Sequence, residues 1–371
     1  MSAYVFDRFT QEALDAQYNN QLACPGFRET LAQGTALSAA AAGLPGARDI
    51  AWGPHPLERL DIYGPPRGTG SRDAGRPGAS GEAGAAEGAA DPGWRAELPA
   101  PVPALLPVLL FVHGGAWLTQ DKEDSAFGAQ AFADHGCMWV ALGFPDAADV
   151  PFADMVASVR RGIAWVHAHI AEHGGDPQRI VLAGHSSGTH LVSQALTHDW
   201  PAEGLGAWPF HGAVMVSGLS DLEPVRLSYR NARLNLDAAH VRRYSLAHNA
   251  PTVRVPVVVA VAERDTAEFR RQARAMADRL RAFDMLADFD VVPGRHHFDV
   301  ILDLADPRSK LFRDTLGLLK GNGSGGGGGG SDRGGNGDGG NNGANDANGK
   351  DGGNDHDVGS NANRNDRNRL P

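Results

Sequence analysis

Residues 179–197 read RIVLAGHSSGTHLVSQALT, and three signals meet there without a gap. Arg179 to Ala183 is a short, wholly apolar run of the kind a strand buried on both faces shows. Gly184-His185-Ser186-Ser187-Gly188 is a tight turn with glycine at both ends. Thr189 to Thr197 then resumes with helical spacing. Strand, tight turn and helix in that order form the setting in which a serine is lifted above the carboxyl edge of a parallel sheet. Glycines are needed at 184 and 188 because side chains there would collide with the neighbouring strand and helix. The alternative, a glycine-rich turn around an ordinary serine, does not require this junction.

Working outward, similar apolar runs recur at Pro107–His113, Met138–Phe144, Gly212–Val216 and Pro256–Val261. Asp49–Trp52 and Arg59–Tyr63 come earlier as half-exposed strands, and Ala287–Val292 comes last. Between them, 152–173 and 267–283 carry apolar stripes at helical spacing, with Met155, Val159, Ile163 and Val166 on the first and Phe269, Ala273, Met276 and Leu280 on the second. Strands alternating with helices predict a mostly parallel, doubly wound sheet with helices on both faces. With Ser186 at the turn, the expectation is the α/β-hydrolase fold.

The domain plan follows from composition. The 371 residues include 48 glycines and 23 prolines, more than a packed domain uses. Most of the excess lies in 65–103 and 321–371, which offer almost no large apolar side chain to offset ordering entropy. One catalytic domain over 1–320, interrupted by a disordered insert at 65–103 and followed by a disordered tail, is expected. A net charge of −10 without a basic run argues against nucleic acid. Cys24 and Cys137 lack metal or redox spacing, and a disulfide between them is not expected. No apolar run reaches membrane-spanning length, so a cytoplasmic protein is expected, acting on a small molecule without a membrane partner. A homodimer is left open.

The chemistry requires an acid and then a histidine, in that chain order, at the ends of later strands. Asp265 follows PVVVAVAER, and Asp221, after GAVMVSG, competes as the acid, although its Asp-Leu-Glu-Pro context also reads as a turn. His296 and His297 both follow the last strand and its Pro293-Gly294 turn. Upstream, His113-Gly114-Gly115-Ala116-Trp117 ends the strand PVLLFVH, where backbone N–H groups of Gly114 or Gly115, together with that of Ser187, can form an oxyanion hole. Only the backbone of Ser187 has a use in this scheme. A metal motif of the form H-x-G-T-H-x-D-x-P fails here, because Gly188-Thr189-His190 is followed by Leu191-Val192-Ser193-Gln194. Neither a metal nor a cofactor is expected.

HGGAW, GHSSGTHL, SGLSDLEPV (217–225) with Asn231 beyond it, ERDTAEFRRQ (263–272), His297-Phe298-Asp299-Val300 and Tyr18-Asn19-Asn20 together resemble the α/β-hydrolase arylformamidases, or kynurenine formamidases. The resemblance implies hydrolysis of N-formylkynurenine with Ser186 as nucleophile, Asp265 as acid, His297 as base and the HGG glycines at the oxyanion hole. It departs in placing His296 where an acidic residue is expected. Trp117, Tyr229 and Phe298 are the aromatic residues expected against the arylamine half, with a tight acyl pocket near Trp117. Two rivals are a general carboxylesterase of the same fold and a non-catalytic binding module built on it.

Overall fold

The computed structural model describes residues 3–66, 104–205 and 208–321. Apart from Pro65, Pro66 and Gly321, the insert and tail expected to be disordered lie outside the described residues. The chain divides into Met1–Gly325 and Gly326–Pro371, and all that follows concerns the first unit.

Eight strands form one sheet: β1 (Gly46–Ala51), β2 (Arg59–Tyr63), β3 (Leu106–Val112), β4 (Met138–Leu142), β5 (Gly175–His185), β6 (Gly212–Val216), β7 (Val257–Ala262) and β8 (Leu286–Val292). Their order is β8-β7-β6-β5-β3-β4-β2-β1. Pairing is parallel from β8 through β4, while β2 runs antiparallel to both of its neighbours. The fold is that of the α/β-hydrolases. Continuous apolar strands are possible in the middle because helices cover both faces, and every residue of β4, β6 and β7 is buried. One face packs Val108, Leu110, Leu182 and Met215 under helices Phe152–His169 and Ser187–Leu196. The other packs Leu109, Phe111, Val181 and Val214 against the carboxyl-terminal helix Lys310–Lys320.

The strand order reverses beside β5, whose neighbours are β3 and β6. In open α/β sheets, the crevice beyond the carboxyl ends of the strands at such a reversal is where ligands bind. Ser186 directly follows β5. Cys24 and Cys137 are both buried and free, and burial pushes the Cys137 thiol up to about 11.

Candidate active site

Ser186 adopts φ 55°, ψ −120° at the turn between β5 and helix Ser187–Leu196. A non-glycine residue holds this sparsely populated conformation only when its surroundings fix it. They do so here: its N–H donates to the Val216 carbonyl at 3.0 Å, and its carbonyl accepts from the Thr189 N–H at 3.1 Å. The Thr189 hydroxyl donates to the carbonyls of Gly184 and Val216, at 2.7 and 3.0 Å. At Gly188 a Cβ would lie 2.1 Å from the Val112 carbonyl oxygen, so the close approach of the elbow to β3 requires glycine.

The loops after β7 and β8 bring two further side chains to this serine. His297 Nε2 lies 3.0 Å from Ser186 Oγ, and its Nδ1 lies 2.7 Å from Asp265 Oδ1. His297 and Asp265 are buried, and Ser186 is 9% exposed, enough to open onto a cleft. Asp221, the competing acid, instead turns outward from this relay: its carboxylate accepts the Glu223 N–H at 2.9 Å, capping the next turn. His296, the competing histidine, also serves its own loop, with Nδ1 accepting from the N–H groups of Phe298 and Asp299 at 3.1 and 3.3 Å.

Ser217 was not singled out from the sequence. Buried at the end of β6 with φ 46°, it donates its hydroxyl to Asp265 Oδ2 at 2.5 Å and accepts the Ala262 N–H at 3.2 Å. Asp265 is therefore held on both oxygens. The only available signal was its position, first in the SGLSDLEPV segment.

His185, the elbow histidine, is neutral. Burial and the adjacent His297 push it down to about 3, and its Nε2–H donates to the His297 carbonyl at 2.8 Å. This bond ties the elbow to the backbone of the histidine loop, while Phe269 packs against the His297 ring edge-on at 4.7 Å.

The HGGAW loop closes the site from the β3 side. Gly115, Ala116 and Trp117 all have positive φ, at 95°, 57° and 63°. At Gly115 a Cβ would lie 1.8 Å from the Thr119 carbonyl oxygen. Gly114 comes so close to the serine that a Cβ on it would lie 3.3 Å from Ser186 Cβ. Helix Ser187–Leu196 has no side-chain cap, so the N–H of Ser187 stays available at its start. Gly114 and the first residue of the elbow helix, Ser187, thus both lie next to Ser186. The Ser187 side chain also has a use: its hydroxyl accepts the Trp117 N–H at 3.2 Å and fastens the loop to the elbow. That corrects the expectation that only its backbone takes part.

Trp117 itself requires a correction. Its ring is 1% exposed, donates from Nε1 to His190 Nδ1 at 3.3 Å and packs edge-on to Phe152. It does not line the cleft, because the positive-φ turn sends the side chain down into the core. His190 is correspondingly a buried neutral ring, pushed down to about 4 by burial, with Nε2 donating to the Tyr244 carbonyl. Tyr229 and Phe298 do line the cleft, which encloses about 530 Å³ and is also walled by Asn20, Leu31, Gly115, Ser186 and His297. A second cavity of about 290 Å³ adjoins it behind Gly114, lined by His113, Gln120, Phe127, His185 and Phe298. The space beside the serine is therefore larger than the tight acyl pocket expected at Trp117.

The BD-FAE family model matches residues 97–201, which include β3, the HGGAW loop and the elbow helix. The chain is 30% identical over 219 residues to the kynurenine formamidase of Danio rerio, spanning 58% of this chain and 73% of that protein. With the kynurenine formamidase of Salmo salar it is 31% identical over 220 residues, with the same shares covered. The chain belongs to the kynurenine formamidase family. It is a hydrolase of amide or ester bonds. In fold it resembles a candidate thioesterase from a Silicibacter species, with a TM-score of 0.61 at 23% identity over 81% of this chain and 97% of that one. Among the described residues, no group of three His, Cys, Asp or Glu side chains is arranged to hold a metal, and no helix is long and apolar enough to cross a membrane.

Other residues of the motifs shared with the kynurenine formamidases hold the cleft wall in place. Glu268 and Gln272, from ERDTAEFRRQ, meet Tyr18 in a buried network: Gln272 Nε2 lies 3.2 Å from the Tyr18 hydroxyl and 3.1 Å from Glu268 Oε1. Gln272 Oε1 accepts the N–H groups of Ser220 and Asp221, both at 2.8 Å. The Tyr18 carbonyl takes donors from Arg230 and Tyr229. SGLSDLEPV, the D-x-x-E-F stretch and Tyr18-Asn19-Asn20 thus meet at one place.

Proposed function

We propose that the protein is an arylformamidase that hydrolyses N-formylkynurenine through Ser186, His297 and Asp265. The observation that carries the reading is the Ser186–His297–Asp265 hydrogen-bond relay, which opens into a cleft walled by Tyr229 and Phe298 in a chain 30–31% identical to kynurenine formamidases. His297 Nε2 takes the Ser186 proton as Oγ attacks the formyl carbon. N–H groups of Gly114 or Gly115 and Ser187 receive the oxyanion. The C–N bond then breaks, and His297 returns the proton to the departing arylamine. Water, deprotonated by the same imidazole, attacks the formyl-serine and releases formate, restoring Ser186. Asp265 keeps Nδ1 protonated and stabilises the imidazolium at each step.

The 290 Å³ cavity behind Gly114 favours a second reading, a carboxylesterase that accepts acyl groups larger than formyl. Steady-state kcat/KM on N-formylkynurenine, compared with short p-nitrophenyl esters, separates the two. The first reading predicts a formamide preference of at least about tenfold, or about 1.4 kcal/mol in transition-state binding. A reversed preference replaces it with the second. Ser186→Ala should abolish both activities, and a fluorophosphonate should label the wild type at Ser186 alone.

A further inference from the structure

The cleft above Ser186 has an unbalanced charge. Although the chain carries a net −10, the formally charged residues lining the cleft are Arg230 and Arg233, and no Asp or Glu joins them. Arg233 is exposed and forms no ion pair among the described residues. Asp146 is a carboxylate in its electrostatic range, at more than ion-pair distance. An arginine of that kind alone would be an ordinary solvated side chain.

Arg230 is different. Its Nε and Nη2 both donate to the Tyr18 carbonyl, at 3.1 and 2.5 Å, and its guanidinium lies 5.9 Å from the Tyr229 ring centre. Burial is the main influence on it and lowers its pKa, and no carboxylate pairs with it among the described residues. Its Nη1 makes no hydrogen bond there. Partly burying a guanidinium without a counter-ion carries a cost, and an anion entering the cleft would offset it. A second, independent feature marks the same wall: Asn20, 5% exposed and lining the same cleft, has an Oδ1 with no hydrogen-bond partner, an acceptor that calls for an N–H beside the anion. Arg230 is anchored to Tyr18, two residues from Asn20, so the cation and the unmet amide belong to one rigid wall.

We infer that Arg230, supported by Arg233 and Asn20, forms a subsite for a carboxylate on the leaving-group side of the substrate, so that the enzyme selects carboxylate-bearing leaving groups over their carboxamide counterparts. Arg230 and Arg233 receive the carboxylate, and Asn20 Oδ1 accepts an N–H beside it. The inference rests on the hydrolase reading of the site and does not require the acyl group to be formyl.

The test uses the full chain and two matched substrate pairs. One is N-formylkynurenine with its carboxamide, which removes the carboxylate charge and keeps the α-amino group, and the other is acetoxybenzoate with acetoxybenzamide. For the wild type, the carboxylate-to-carboxamide ratio of kcat/KM should be about ten or more, the scale of one charge-assisted contact, and should fall as salt rises. Arg230→Gln should bring the ratio near one and Arg230→Lys should recover part of it, while Arg233→Gln should lower it about threefold. A wild-type ratio at or below one in whichever pair is hydrolysed, or a ratio that neither Gln variant moves, overturns the inference. Charge selectivity confined to the esters, with both formamides inert, defeats the formamidase reading and leaves this one standing. Hydrolysis of both formamides without charge preference does the reverse. If neither pair is hydrolysed, the hydrolase reading fails and the subsite fails with it.

Discussion

Ser217→Ala removes the hydroxyl that donates to Asp265 Oδ2 at 2.5 Å and accepts the Ala262 N–H at 3.2 Å. Both ends of this bridge are buried, with Ser217 at 0% and Asp265 at 4% exposure, so the loss leaves a carboxylate oxygen and an amide short of a partner. A hydrogen bond to a charged group contributes about 1.5–3 kcal/mol, and an unmet buried amide costs about 1–3 kcal/mol. Stability should therefore fall by about 3 kcal/mol. If Asp265 orients His297 as proposed, part of that loss also appears in catalysis, because the Oδ1 to Nδ1 bond at 2.7 Å is then fixed from one side only. A tenfold to thirtyfold fall in kcat, about 1.4–2 kcal/mol, is expected. KM should stay within about twofold, since Ser217 does not line the cleft. Ser217→Gly provides the control: it also lacks the hydroxyl but relaxes the φ of 46°, so it should match the alanine variant in kcat while unfolding at a higher urea concentration. Steady-state kinetics and urea unfolding of both variants read the two effects separately. If kcat stays within twofold of wild type in both, Ser217 has no part in positioning the acid.

Ser187→Ala removes the acceptor for the Trp117 N–H, so kcat should drop about threefold to tenfold as the oxyanion loop loosens; wild-type kcat would return Ser187 to a backbone-only role. Gly115→Ala places a Cβ 1.8 Å from the Thr119 carbonyl oxygen at φ +95°, and thermal unfolding should show a loss of about 3 kcal/mol or more, a result refuted by an unchanged midpoint. Gln272→Leu strips the acceptor from two backbone N–H groups and the donor from Tyr18; a loss of about 3–5 kcal/mol is expected, and less than about 1 kcal/mol would mean the network is not the anchor described. Burial holds His113, His185 and His190 down to about 4, 3 and 4 in the folded chain, whereas unfolded histidines take up protons near pH 6.5. The unfolded state then binds more protons below that pH, so stability falls as pH drops from about 6.5 toward 4, with an upper slope of about 4 kcal/mol per pH unit for the three together. Above pH 7 these groups contribute no pH dependence. Urea midpoints at pH 7.5 and 5.5 provide the measurement, and equal midpoints would contradict it.

How much could be read from the residues depended on whether burial was apolar and local. Strands β3 to β7 were legible because each must be apolar on both faces, and the elbow was legible because its glycines mark a steric requirement. The amino-proximal part of β5 was not. Gly175 to Gln178 carry no apolar signal and join the sheet where Leu106 pairs with Gly175 across a register shift. Helix Gln11–Tyr18 buries only Leu14 and Tyr18, and helix Phe27–Ala40 buries Gly34 and Ser38, so neither presents the stripe that betrays a helix. Trp117 was misplaced for a different reason. Which way a side chain leaves a loop depends on φ, and three successive residues with positive φ reverse the direction that extended backbone would give. Ser217 was missed because its partner is 48 residues away, and a lone serine after a strand has no pattern that local reading can use.

The same reasoning explains why the family-like segment ERDTAEFRRQ, beyond the Asp265 it contains, works away from the reacting atoms. A cleft wall must present polar groups toward substrate, so it cannot be fastened through its own inner face by apolar packing alone. Glu268 and Gln272 fasten it from behind through directional bonds: Tyr18 is fully buried, with desolvation and the Glu268 carboxylate both raising its pKa well above the ordinary value, so its hydroxyl stays a protonated donor. Arg271 closes the set with paired bonds to Glu268, both at 2.7 Å, which keeps that 0% exposed carboxylate from being an isolated charge. Such a network tolerates few registers, because shifting it by one position orphans several buried groups at once. Tyr18 is thereby fixed relative to the sheet, and its carbonyl in turn fixes Arg230 and Tyr229. The polar face of the cleft is thus set by residues that never reach it, and a substitution at Glu268 or Gln272 should change substrate selectivity before it changes the geometry of Ser186, His297 and Asp265.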